Sequence, residues 1–126
     1  MFSRVKGAVL AAIFMSLSTG AVWAADDHTT KTVAEIYAQK TELAGQRIHL
    51  SGKVVKVSNG IMGKNFLHIQ DGSGSEAQGD HDITVTSQQT ANVGDQLSIE
   101  ALVTVDRDFG YGYLYPLILE EAKLSN

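Results

Sequence analysis

Met62, His49 and His68 supply a thioether and two imidazoles, a donor set that suits copper, above all the reduced ion. Their arrangement argues against one site. No His-x-His or other closely spaced ligand pair occurs. His68 stands between Leu67 and Ile69, and His49 between Ile48 and Leu50, so each faces away from its aliphatic neighbours on a strand. The two would meet only if the first two strands paired in a particular register. Asp71-Gly72-Ser73-Gly74-Ser75-Glu76 and Asp80-His81-Asp82 offer oxygen ligands of the kind calcium takes, yet without the EF-hand spacing. The same stretch lacks the Gly-Lys-Ser/Thr ending of a phosphate loop. The expectation is no resident metal and no cofactor.

Catalytic patterns are equally thin. There is no His-Glu-x-x-His, no Gly-x-Ser-x-Gly and no nucleophile with an evident base. Asp106 and Asp108 flank Arg107, which pairs them as salts more readily than it leaves a proton donor. The chain reads as non-catalytic. The absence of Cys excludes disulfides, thiolate metal sites and Cys-x-x-Cys-His haem attachment.

A different chemistry gathers in two segments, Ile61 to Lys64 and Arg107 to Tyr113. They carry Met62, Lys64, Arg107, Asp108, Phe109, Tyr111 and Tyr113, apolar and aromatic groups that solvated turns do not need, interleaved with cations. Aromatic faces beside Lys and Arg can stack planar ligands, and an apolar centre with a polar rim is the anatomy of a protein interface. Gly63, Gly110 and Gly112 permit close backbone approach. The competing reading is that Met62 and Phe109 plug the end of a barrel and that Tyr113 and Tyr115 line its wall.

These segments must be held by what surrounds them. The chain has 126 residues, enough for one domain. Residues Met1 to Ala24 read as a secretory signal: Arg4 and Lys6, an apolar run from Ala8 to Leu17 too short to span a bilayer, then Val22-Trp23-Ala24 as a small-x-small cleavage site. Removing Arg4 and Lys6 with that leader lowers ten basic side chains to eight against fourteen acidic ones, a net of −6. An acidic, exported chain disfavours nucleic acid as partner, although Lys53, Lys56, Lys64 and Arg107 could form a local basic patch. A periplasmic address follows, with membrane contact only during export.

In the remainder, Ala25 to Lys31 is a polar lead. Thr32-Val33-Ala34-Glu35 has capping-box spacing and predicts a helix from Val33 to about Gln39, with Gly45 closing the helical region. Ile48, Leu50, Gly52 and Val54 alternate with polar residues, then Val55 and Val57 continue in the opposite phase. Gly52 is the expected bend or bulge, and Ser58-Asn59-Gly60 the expected turn. Phe66 to Ile69, Ile83 to Thr86, Leu97 to Val105 and Tyr113 to Glu121 are four further strands, the last interrupted by Pro116 at an edge or bulge. Asp106 to Gly112 is the expected loop between the last two. One short helix cannot cover both faces of an open sheet, so the expected class is all-β with an N-terminal helix, the sheet curled into a five-stranded Greek-key barrel.

The runs Gly52 to Val57, Ile61-Met62-Gly63-Lys64-Asn65-Phe66 through Gly74, and Val105 to Tyr113 resemble the exported bacterial OB-fold proteins, and within them the small NrfJ-related family, some members of which accompany cytochrome c nitrite reductases. The resemblance spans about Ala44 to Ala122. It implies an OB barrel over residues 32–126 and a binding or accessory role beside a redox enzyme. In such a barrel the loop between the first two strands and the loop between the last two, here Ser58 to Lys64 and Asp106 to Gly112, flank one binding face. The expected contact set is therefore Met62, Lys64, Phe66, His68, Arg107, Phe109, Tyr111 and Tyr113, presented to a protein partner or a small ligand. Nucleic-acid binding and copper carriage are the alternatives.

Overall fold

The computed structural model describes residues 29–126; the expected signal segment lies outside the described residues. Five strands close into a barrel in the order β1-β2-β3-β5-β4, and a short helical segment precedes them. The strands are β1 (Arg47–Ile61), β2 (Lys64–Gln70), β3 (Asp82–Ser87), β4 (Gln96–Asp108) and β5 (Leu114–Ser125). All pairings are antiparallel except β3 with β5. This is the five-stranded barrel that the alternation implies, of the OB type that the resemblance implies.

At fifteen residues, β1 is long enough to serve two neighbours. Arg47 to Lys53 pairs with β4, and Lys53 to Ile61 pairs with β2. A strand shared in this way must bend between its halves. The register shift falls between Val54 and Lys56, so Val55 is the extra residue. That accounts for the phase change in the sequence. Val54 opposes Ile69, and the next aliphatic partner of β2, Leu67, meets Val57, three positions further along β1 instead of two. Gly52 is not itself the bulge. Its role is close approach, because a Cβ there would sit 2.5 Å from the Ile69 Cγ2 and 3.0 Å from the Gln70 carbonyl oxygen.

Three boundaries differ from the sequence expectation. Ser58-Asn59-Gly60 does not turn the chain; β1 runs on to Ile61, with a second register shift between Ser58 and Ile61 and Gly60 at φ +73°. The expected loop from Asp106 shortens, since β4 continues to Asp108, and β5 runs to Ser125 rather than Glu121. Cross-strand pairing holds both extensions together, Arg107 opposite Tyr115 and Ile99 opposite Leu124. Pro116 lies on β5 between Tyr115 and Leu117, whose β4 partners are Arg107 and Val105. Asp106, between those partners, has φ +52°, a conformation Asp tolerates better than most residues.

The barrel interior is aliphatic. Ile48, Leu50, Val54, Leu67, Ile69, Val85, Ile99, Val103 and Leu119 are all at most 2% exposed. Helix α1 (Val33–Ala38) adds Val33 and Ile36 to the same core, and α2 (Lys40–Leu43) adds Leu43. The capping box forms as the sequence requires: Thr32 Oγ1 accepts from the Glu35 amide, and the Glu35 carboxylate accepts from the Thr32 amide. The β2–β3 loop completes the helix start, with Asp71 Oδ2 accepting from the Val33 amide at 2.9 Å and Ser73 Oγ from the Ala34 amide at 3.0 Å. Tyr37 donates to the Asp82 carbonyl at 2.6 Å and fastens the helix to the start of β3. Part of the lead is also held, because Thr30 bridges to His49 and the Lys31 amide donates to the His49 carbonyl. The helix thus occupies the Gln70 end of β2. The Lys64 end is left to the two hairpin tips.

Candidate functional site

The β1–β2 hairpin closes on two residues. Ile61 pairs with Lys64, and Met62 and Gly63 between them have φ of +53° and +76°. Positive φ at both central positions is the type I′ turn, whose twist matches the flanking strands and which prefers Asn-Gly. An unbranched hydrophobic side chain at the first position works against that preference. Met62 nevertheless stands there, 45% exposed, with Ile61 beside it at 43%.

The β4–β5 tip repeats the pattern. Gly110, Tyr111 and Gly112 have φ of +88°, +55° and +84°. Asp108 Oδ1 accepts from the Gly110 amide at 2.7 Å, the Phe109 amide donates to the Tyr113 carbonyl, and the Tyr113 amide donates back to the Gly110 carbonyl. These bonds fix the loop and leave Tyr111 98% exposed. Of the six large hydrophobic side chains that are exposed among the described residues, five (Ile61, Met62, Tyr111, Tyr113 and Leu114) belong to these two tips. This is clustered exposure, unlike the scattered single hydrophobic residues that need no explanation.

Beneath the tips lies a packed aromatic cluster. Phe66 meets Phe109 with ring centroids 5.8 Å apart and Tyr115 at 6.3 Å, and Phe109 meets Tyr115 edge-on at 5.8 Å. The Arg107 guanidinium lies 4.2 Å above the Phe109 ring, and its Nε donates to Glu120 at 3.1 Å. Arg107 is therefore engaged inside the hairpin rather than free on its rim. Phe66 is only 7% exposed and forms the floor of the cluster.

A groove of about 330 Å³ runs between the cluster and the β1–β2 hairpin. Lys56, Met62, Phe66, His68, Tyr113 and Tyr115 are among its lining residues. Cross-strand register brings Lys56 opposite His68 and Ser58 opposite Phe66. His68 Nδ1 lies 2.8 Å from Asp82 Oδ1, and the other Asp82 oxygen accepts from the Gln70 side-chain amide at 2.9 Å. A carboxylate on Nδ1 fixes the ring's orientation and leaves Nε2 for other work.

Of the eight residues expected to make contact, Met62, Phe66, His68 and Tyr113 converge on this groove. Tyr111 stands at the tip, while Phe109 and Arg107 act as its support. Lys64 lines a separate groove with Gln88, Gln89 and Lys123. Lys56 belongs with the groove residues, although sequence alone places it only in a diffuse basic patch. Its position depends on the Val55 bulge. Sequence reasoning misses Asp82 for a similar reason, since only the β2–β3 register puts it beside His68.

His49 does not join Met62 and His68. It pairs with Glu100 on the β4 side of β1, seven residues before Lys56, or roughly 23 Å along a strand, and its Nδ1 contacts Thr29 Oγ1 at 3.1 Å. No group of three or more His, Asp or Glu residues poised for a metal occurs among the described residues. A larger groove, about 730 Å³, lies near α1, but its lining mixes Lys31 and Lys53 with Glu35 and Asp71, and both acids are engaged in capping the helix.

No protein-family model matches the chain, and no curated protein matches it. Among solved structures, it is similar to a protein assigned as an aspartyl-tRNA synthetase from Leishmania major Friedlin, with a TM-score of 0.51 and 13% identity over 76% of this chain. The chain spans 20% of that protein's length. At this identity the likeness concerns the fold, and it agrees with the OB-type barrel.

Proposed function

We propose that this chain is an exported, non-catalytic binding module that docks a protein partner on the tips of its β1–β2 and β4–β5 hairpins. The observation that carries the reading is the pairing of exposure with strain at Met62 and Tyr111. Both are large apolar side chains at positive φ, where Gly or Asn would hold the turn with less strain, and both face solvent. Neither the turn nor the core requires them. A partner that buries them does.

The surrounding groups support a modest interface. Ile61, Met62 and Tyr113 border one groove, and Lys56 lies at its side without an ion pair among the described residues. Base stacking fits less well, since Phe66 and Phe109 turn their rings to each other and to Tyr115. The NrfJ-related resemblance supplies the class of partner, a periplasmic respiratory redox enzyme such as cytochrome c nitrite reductase, and the leader-like start supplies the address.

The test is affinity capture from the periplasmic fraction with wild type, Tyr111→Ser and Met62→Gly. Both substitutions should abolish capture and leave the thermal midpoint within a few degrees. Capture that survives the double substitution sinks the reading. Intact mass of the exported protein tests the address: cleavage after Ala24 removes Trp23 and with it all indole absorbance.

A further inference from the structure

The groove beside the tips has a charge pattern unlike that of four other grooves among the described residues, each of which is lined by at least one carboxylate. The chain carries fourteen acidic and ten basic residues, yet no carboxylate lines this groove. Its walls are Ile61, Met62, Phe66 and Tyr115, its outer edge is Tyr113, and Lys56 and His68 face each other across β1 and β2. Lys56 has no ion pair among the described residues. Asp82, which holds His68 at Nδ1 with one oxygen and accepts from Gln70 with the other, is not among the residues that line the groove.

We infer that this groove is an anion subsite, which receives a carboxylate that stands beside an aromatic or aliphatic side chain on the partner protein. The inference rests on the docking role proposed above and specifies what the partner must present. The carboxylate would take a donor from the Lys56 ammonium, and the imidazolium form of His68, with Nδ1–H on Asp82, would add a second from Nε2, while the apolar neighbour packs against Met62 and Tyr115. A volume near 330 Å³ admits one side chain and its attached acid rather than a folded element. Asp82 acts as a positioning residue, setting the imidazole so that Nε2 is the nitrogen offered. A nucleotide also combines a planar group with an anion, but it needs an open ring face, and Phe66 is only 7% exposed, with Phe109 and Tyr115 packed against it.

The experiment uses ¹⁵N-labelled protein and three small probes: 3-phenylpropionate, its neutral isostere 3-phenylpropanamide, and uridine 5′-monophosphate. Fragments of this size bind weakly, so titration to roughly 10 mM is appropriate. Phenylpropionate should shift the Lys56, His68 and Tyr113 amides, the amide isostere should bind about tenfold more weakly, and Lys56→Ala and His68→Gln should each weaken the acid but not the amide. Asp82→Asn should weaken the acid less than His68→Gln does. Equal binding of acid and amide, shifts elsewhere in the barrel, or no shift overturns the inference. Tighter binding of the nucleotide than of the acid overturns it as well, in favour of a nucleic-acid ligand. Tyr111 lies outside the groove, so Tyr111→Ser should leave the probe titration unchanged. The subsite and the docking surface can thus fail separately: loss of probe binding with partner capture intact removes only the subsite, whereas capture that ignores Tyr111→Ser removes the docking surface.

Discussion

Phe66 on β2 and Phe109 beyond the end of β4 meet with ring centroids 5.8 Å apart and planes inclined by 64°, forty-three positions distant in the chain. This edge contact fastens the β4–β5 hairpin to the sheet and decides between two readings of the loop aromatics. Phe109 is packed against the cluster, and Tyr111 stands exposed. Replacing Phe109 by Ser should therefore destabilise the domain by about 1–3 kcal/mol, the loss of a half-buried aromatic together with its ring contacts. Tyr111→Ser should shift urea midpoints little. A double-substitution cycle on Phe66→Leu and Phe109→Leu should return a coupling of about 0.5–1.5 kcal/mol. Equal midpoints for Phe109→Ser and Tyr111→Ser would show that the cluster does not hold the hairpin.

The strand interior offers a second check. Ile99 is 1% exposed and lies opposite Leu50 on β1 and Leu124 on β5, whereas neighbouring Ser98 faces outward. Ile99→Ala should cost about 2–5 kcal/mol in urea unfolding, and Ser98→Ala well under about 1 kcal/mol. Similar losses at both positions would mean a wrong register for β4.

Most of the barrel is legible in the sequence because its signal is local. Leu97, Ile99, Ala101 and Val103 alternate without a break, and Thr32 with Glu35 declares the helix start within four residues. The hairpin ends are less legible. Asn59-Gly60 reads as a turn by composition, yet the actual turn uses Met62-Gly63, because cross-strand pairing of Ser58 with Phe66 carries β1 past the glycine. The site divides in the same way. Met62 and Tyr111 stand out as hydrophobic residues in turns. The groove stays hidden, since joining Lys56 to His68 and His68 to Asp82 requires two registers and a bulge that no local pattern encodes.

Met62 yields a prediction of opposite sign for stability and binding. It occupies the first central position of a type I′ turn at φ +53°, where Asn is favoured. Met62→Asn should raise stability by about 0.5–1 kcal/mol, through relief of the left-handed penalty. The same substitution removes an exposed apolar contact and should weaken partner capture. Differential scanning calorimetry and capture on one set of samples check both. A lower thermal midpoint for Met62→Asn would show that the side chain supports the turn.

The acid limb of stability should report on Asp71, which ties the β2–β3 loop to helix α1. Partial burial pushes its carboxyl up, but the Ser73 hydroxyl, the Val33 amide and the Ser73 amide all donate to the ionised form and outweigh burial, so the group sits below its ordinary value. A carboxyl depressed in the folded state stabilises the fold above its unfolded value of about 3.9, and that contribution is lost as pH falls through the folded value. Asp71→Asn places an amide where the Val33 N–H needs an acceptor. The variant should therefore melt below wild type at neutral pH, with a gap that narrows as pH falls through the folded value and wild-type Asp71 becomes protonated too. Thermal melts of both proteins at several pH values from neutral down the acid limb decide the matter. A gap that stays constant with pH would mean that Asp71 acts through shape alone and that its charge contributes nothing to holding the helix.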